Sequence, residues 1–172
     1  MVIFRKMRTF QLLGTNILVL EQGEAMRHTI EGMGGRALVF VMRKTLTRSD
    51  VAVHQGRLFI TNDKVLRGQL SEEEQTELKT SEGYVNVEVV DPRGEGYEMK
   101  LKEWKSLKMF VLTSGWNRLV NDNELEAEIH CIELWSFRVG LKLCFAFGLL
   151  NLLCILMWSR SCWGFFFSFG FL

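Results

Sequence analysis

The sequence predicts a mainly β domain, a small barrel or a sandwich, built from seven short strands and two short helices. Three observations carry that expectation. Apolar and polar residues alternate with a period of two where Val85, Val87 and Val89 precede Tyr97, Met99 and Leu101. Strand-like runs are separated by turn residues at short intervals, with no repeated helical crossovers of the kind a parallel sheet requires. The chain has 172 residues, 48% of them hydrophobic, and a single proline, which fits one domain with a real core and excludes a disordered or collagen-like chain.

The elements follow in order. Residues 1–37 read as a leader in which Phe4–Leu20 could form an amphipathic helix and Gly32, Gly34 and Gly35 a flexible joint. The domain is expected over residues 38–147, opening with the β-rich run Leu38–Met42 and a polar segment, Arg43–Gln55. Gly56 precedes a second strand, Arg57–Thr61. Ser71 with Glu74 three residues on forms a capping box, because serine oxygen and glutamate carboxylate satisfy each other's orphan amides, and opens a helix to about Lys79. The strands around Val87 and Met99 are joined through Asp91-Pro92-Arg93-Gly94 as a hairpin with one wet face. Trp104–Lys108 interrupts the pattern, Met109–Thr113 resumes it, and Gly115 leads into a helical turn from Trp116 to about Asn121. His130–Arg138 and Lys142–Phe147 close the domain around Gly140.

The charge count, 21 Lys plus Arg against 20 Asp plus Glu, argues against binding nucleic acid by bulk attraction. Position changes that reading. Arg43, Lys44, Arg48, Arg57, Lys64 and Arg67 face only Asp50 and Asp63, and Arg93, Lys100, Lys102, Lys105, Lys108 and Arg118 outnumber Glu95, Glu98 and Glu103; an acidic stretch, Glu72–Asp91, lies between. Both basic blocks centre on connections at strand ends, where recognition residues collect on a rigid scaffold. Lys44, Arg48, Arg57, Lys105 and Lys108 can neutralise phosphates, while Ser49, His54 and Ser106 can hydrogen-bond base edges or phosphates. Trp104 is expected mainly to pack beneath the second connection.

Enzymatic chemistry is not expected. His28, His54 and His130 have no serine or cysteine in a nucleophile context, and Cys131 next to His130 would point to the opposite strand face. Gly94 and Gly96 precede no helix, so they make no phosphate loop. Cys131, Cys144, Cys154 and Cys162 show no C-x-x-C spacing, so neither a metal site nor any cofactor is expected, and a reduced intracellular compartment is.

Several dispersed motifs carry a family resemblance. KTLTRSDVAVHQGRLFI at Lys44–Ile60 resembles the opening of the plant B3-type DNA-binding domain, with its K-x-L-T-x-S-D-V stretch and following R-L-x-I-P. L-S-E-E-E at Leu70–Glu74, L-K-E-W at Leu101–Trp104, F-V-L-T-S-G-W-N at Phe110–Asn117, E-L at Glu124–Leu125, L-W-S-F-R at Leu134–Arg138 and L-C-F-A-F at Leu143–Phe147 follow in family order. The L-T-E-E-E, G-W-N and L-W-S-F-R variants are similar to a plant subgroup long described as a domain of unknown function. The resemblance implies a seven-stranded open β-barrel with two short helices, which sets two arms into the major groove of double-stranded DNA as a nuclear transcription regulator. Other transcription factors are implied as further partners.

Carried over, the first arm is Lys44–Arg57, with Arg48, Ser49 and His54 as base-reading positions; His54 has the spacing from Lys44 at which the auxin-response-factor branch places a histidine. The second arm is Trp104–Lys108, with Lys105, Ser106 and Lys108, and is shorter than in that branch. Two departures stand out. Thr61 occupies the usual proline position, and Ala127-Glu128 replaces the Gly-Asp turn expected before L-W-S-F-R, where a turn without its glycine would be strained or shift register.

The apolar fraction is concentrated at the end. Leu143–Leu172 holds seven of the thirteen Phe and one charge, Arg160. The rival reading is a membrane-attached or protein-interaction module that has lost DNA binding and is anchored by this tail. Because Leu143–Phe147 belongs to the last strand, too little remains to span comfortably, and residues 148–172 are expected to be an appendage, with membrane association disfavoured.

Overall fold

A computed structural model of the chain describes residues 7–12, 15–20, 22–61 and 63–151. Strands β1 (Met7–Leu12) and β2 (Thr15–Leu20) form a two-stranded antiparallel sheet. This corrects the helix expected over Phe4–Leu20: the β-branched residues Thr15, Ile17 and Val19 recur at a period of two, which favours a pleated strand over a helical turn. Helix α1 (Gln22–Gly32) follows, and then β3 (Gly35–Thr45), α2 (Arg48–Val51), β4 (Arg57–Ile60), α3 (Asp63–Arg67), α4 (Glu72–Lys79), β5 (Tyr84–Val90), β6 (Gly96–Trp104), β7 (Met109–Thr113), α5 (Trp116–Asp122), β8 (His130–Val139) and β9 (Lys142–Asn151). The two helices expected from sequence are α4 and α5; α1 to α3 are additional.

The last seven strands form one curled sheet in the order β3-β8-β9-β5-β6-β7-β4, antiparallel throughout except where β9 lies parallel to β5. This is the open barrel the resemblance implied. Alternate residues fill its interior: Leu58 and Ile60, Val85 and Val87, Met99 and Leu101, Phe110 and Leu112, Ile132 and Leu134, Phe145 and Phe147, closed at the ends by Leu66, Leu78, Trp116 and Leu119 from the helices. The two edge strands meet through side chains rather than a ladder. The Thr61 amide and hydroxyl both donate to Met42 Sδ, at 3.4 and 3.5 Å. Proline at position 61 would have no N–H to give.

Outside the barrel, α1 lays Met26 and Ile30 over Val90, Phe137, Cys144 and Ala146 on the outer face of β5, β9 and β8. The folded unit therefore begins before residue 38, and β9 carries it to Asn151. Leu143–Phe147 is buried in that strand, and no described helix is long and apolar enough to cross a membrane. Residues 152–172 of the apolar tail lie outside the described residues.

Motifs read from sequence acquire structural reasons. Ser71 Oγ accepts from the Glu74 amide at 3.2 Å and Glu74 Oε2 from the Ser71 amide at 2.8 Å, closing the expected capping box. Arg138, from L-W-S-F-R, donates to both carboxylate oxygens of Glu74 at 2.7 Å and to Leu141 O at 2.8 Å, tying α4 to the β8–β9 turn; the hydrogen bond to Glu74 raises the guanidinium pKa further. Asp91 accepts from the Arg93 and Glu95 amides at 2.8 and 2.9 Å, which sets the β5–β6 turn.

In the Ala127-Glu128 turn before β8 the left-handed residue is Glu128, whose φ is +66°. Its amide donates to Leu46 O at 2.8 Å, and Leu46 N donates to His130 O at 3.0 Å, so the left-handed residue is held on both sides. Glu128→Gly should relieve about 1 kcal/mol of strain and raise Tm by roughly 3 °C. Thermal unfolding with no increase would show that the site is unstrained.

Candidate nucleic-acid interface

The Arg43–Arg57 segment is built around one buried carboxylate. Asp50, 2% exposed, accepts from Lys44 Nζ at 2.6 Å, from the Thr47 amide at 2.9 Å and from Thr47 Oγ1 at 2.7 Å. The L-T-x-S-D pattern therefore makes a closed turn into α2. The other side of the loop is clamped from α5. Trp116 Nε1 donates to Asp50 O at 2.6 Å and Asn117 Nδ2 to Val53 O at 2.8 Å. Gly115 lets the start of α5 lie against β6, since a Cβ there would stand 2.5 Å from Glu98 O. Gly56 ends the loop at φ +53°, a left-handed conformation that glycine adopts without cost.

What the clamped backbone presents outward is Arg48, Ser49, Val53 and His54, all exposed. Arg48 Nε lies 3.2 Å from Glu128 Oε1 with the guanidinium largely in solvent. Ser49 Oγ shares a 2.9 Å hydrogen bond with Thr47 Oγ1. Lys44 differs from this group: its ammonium is turned in to Asp50 and is 16% exposed.

The second connection is a four-residue turn. Leu107 N donates to Trp104 O at 3.0 Å and Lys108 N to Lys105 O at 3.3 Å, with Lys108 at φ +52°. Lys105, Ser106, Leu107 and Lys108 are all exposed, and Lys105 Nζ reaches Lys79 O at 3.4 Å. Trp104 packs, as expected: its ring meets Phe59 edge to face at 5.2 Å, and the Arg57 guanidinium lies 5.0 Å from the Trp104 ring and 5.1 Å from that of Phe59. Arg57 Nε is buried there with no hydrogen-bond partner, so this arginine is a stacked cation as well as a surface charge.

Strand register relates the two loops. Arg57 pairs with Thr113, which pairs with Lys100; Phe59 pairs with Val111, which pairs with Lys102. All six belong to the outer face of β4, β7 and β6, because Leu58, Ile60, Phe110, Leu112 and Leu101 point into the core. The first loop enters at the start of β4, and the second turns beside its end. About 13 Å of strand separates their roots, close to the width of a DNA major groove, about 12 Å. Among the described residues no helix packs apolar side chains on this face, in contrast to the face under α1.

Ion pairing divides the cations: Arg43, Lys44, Arg48, Arg67, Arg93, Arg118, Arg138 and Lys142 each have a carboxylate partner. Arg57, Lys100, Lys102, Lys105 and Lys108 have none among the described residues. Chemically, the arrangement is a rigid convex face with unneutralised cations, bordered by two loops that offer hydroxyl, imidazole and guanidinium groups, and it suits a polyanion. Sequence reasoning missed Asp50, Trp116 and Asn117 as the parts that hold the first loop. The G-W-N motif was the available signal, but its partner lies 66 residues away in the chain.

Fold and face together define a seven-stranded open barrel that carries two braced loops on a basic side. The chain belongs to the family described as B3 domain-containing protein At2g31720-like, which it matches over residues 20–151, a span that takes in α1 and all of β9. It is 34% identical over 130 residues to B3 domain-containing protein At2g31720 of Arabidopsis thaliana, covering 70% of this chain and 40% of that one. To B3 domain-containing protein At2g32645 of the same plant it is 30% identical over 117 residues, 62% of each chain. Among solved structures, the Arabidopsis FUS3–DNA complex aligns at 21% identity and TM-score 0.47, over 63% of this chain and 95% of that one. The chain spans 37–42% of the length of four of the curated relatives it matches.

Proposed function

We propose that this chain binds double-stranded DNA in a sequence-dependent way, setting Arg48, Ser49 and His54 of the first loop and Lys105, Ser106 and Lys108 of the second into the major groove, and that it regulates transcription in the nucleus. The observation that carries the reading is the outer face of β4, β7 and β6, against which no described helix packs apolar side chains, whose cations Arg57, Lys100 and Lys102 lack carboxylate partners among the described residues and whose two bordering loops are about one groove width apart at their roots. In this reading Lys44 orders the first loop through Asp50, and Trp104 supports Arg57 and the root of the second loop. Family membership supports the same assignment, and regulatory output would come through partner transcription factors or competition for sites.

Arg48→Ala combined with Lys105→Ala should weaken duplex binding by about 30-fold and lower the slope of log K against log salt by about 1.8, because each cation removed from the groove leaves its counterions on the duplex. Fluorescence anisotropy over a salt series reads both quantities. Unchanged affinity and slope would overturn the loop assignment.

A further inference from the structure

Between and beside the loops, the outer face carries a pair of lysines that the loops do not account for. Lys100 Nζ sits 3.9 Å from the centroid of the Tyr84 ring and Lys102 Nζ 5.9 Å from it, so one aromatic face on β5 gathers two ammonium groups from β6. Neither has a carboxylate partner among the described residues. A cation held at the face of a ring keeps N–H donors for a second partner, and both lysines are half-exposed, so each can make a charge-assisted contact to an oxyanion. Lys100 lies in the same cross-strand row as Arg57, two strands or about 10 Å away, so the three cations form a band across the strands rather than along a loop. One row further on, the sign reverses: Glu98 lies opposite Glu88, which is paired to Lys142 at 3.2 Å.

We infer that Tyr84, Lys100 and Lys102 form a phosphate-contact strip that grips the backbone of the duplex outside the groove read by the loops. Its edge is set by the Glu88–Glu98 row, which repels a phosphate placed there. The inference rests on the duplex-binding reading above. Phosphate contacts fix orientation and supply affinity but carry no base information. The strip therefore contributes to binding equally on any sequence, in contrast to the loops.

The test is the full chain carrying Lys100→Gln and Lys102→Gln, titrated over a salt series with a random-sequence duplex and with the duplex the wild type selects. The expected result is a fall of about 1.8 in salt slope and ~10-fold weaker binding to both duplexes, with their affinity ratio kept. Lys100→Arg with Lys102→Arg should restore the slope, which separates lost charge from lost structure. Wild-type-like slope in the glutamine variant, while Arg48→Ala with Lys105→Ala still weakens binding, overturns the strip and leaves the loop reading standing. Collapse of the affinity ratio overturns the phosphate assignment in favour of base reading. Failure of the arginine variant to recover overturns the charge argument, and absence of duplex binding by the wild type overturns the strip together with the reading beneath it.

Discussion

Asp50→Ala should cost about 3 kcal/mol of stability and release the first loop. The residue is buried, and its carboxylate is the shared acceptor of Lys44 Nζ, Thr47 N and Thr47 Oγ1. Removing it strands a mostly buried ammonium and leaves two further donors without their partner, and the cost of an uncompensated buried charge exceeds the modest gain of the ion pair itself. Asp50→Asn keeps an acceptor for Thr47 and loses the counter-charge, so it should fall between wild type and alanine. Lys44→Met combined with Asp50→Ala removes the stranded ammonium and should recover part of the loss. Urea unfolding of the four proteins reads the series. An alanine variant within about 0.5 kcal/mol of wild type, the range of an ordinary surface substitution, would mean that Asp50 does not organise the loop.

Trp116→Ala should be at least as damaging, by about 3–5 kcal/mol. The indole is 1% exposed in the main core, and its N–H is the donor that holds Asp50 O from α5. Truncation removes a large packed side chain and the clamp in one step. Trp116→Phe separates the two roles: most of the packing survives, the hydrogen bond does not, and the expected loss is about 1–2 kcal/mol. Amide exchange should show the phenylalanine variant with faster exchange in the first loop and unchanged protection in β5 and β6. Equal acceleration everywhere would place Trp116 in the general core and remove its role as a clamp.

The parts legible in the sequence were those with local causes. The alternation of Val85, Val87 and Val89 against Tyr97, Met99 and Leu101 fixed which face of β5 and β6 is buried, and the Ser71–Glu74 box located the start of α4. The parts that were not legible depend on residues far apart in the chain. Nothing near Asp50 announces that Trp116 will bond its carbonyl, and nothing near Thr61 announces Met42. Coverage of the outer face by Ile30 follows from where α1 docks, which no periodicity states. The same holds for the candidate site. Two basic blocks were visible in the chain, but a pairing register was needed to put Arg57, Thr113 and Lys100 in one row and so to join loop charges to strand charges. Lys44 shows the opposite limit: a lysine in a basic block counts as a surface charge until its partner six residues on is seen to be buried.

Whether the braced loops read DNA sequence from the basic face is decided by selection of bound duplexes from a random pool, carried out with the chain and with its Arg48→Ala, Lys105→Ala variant. The wild type should enrich one short motif over successive rounds, and the variant should enrich it weakly or not at all. A pool that stays random with the wild type, or a motif enriched equally by the variant, would contradict sequence reading by the loops.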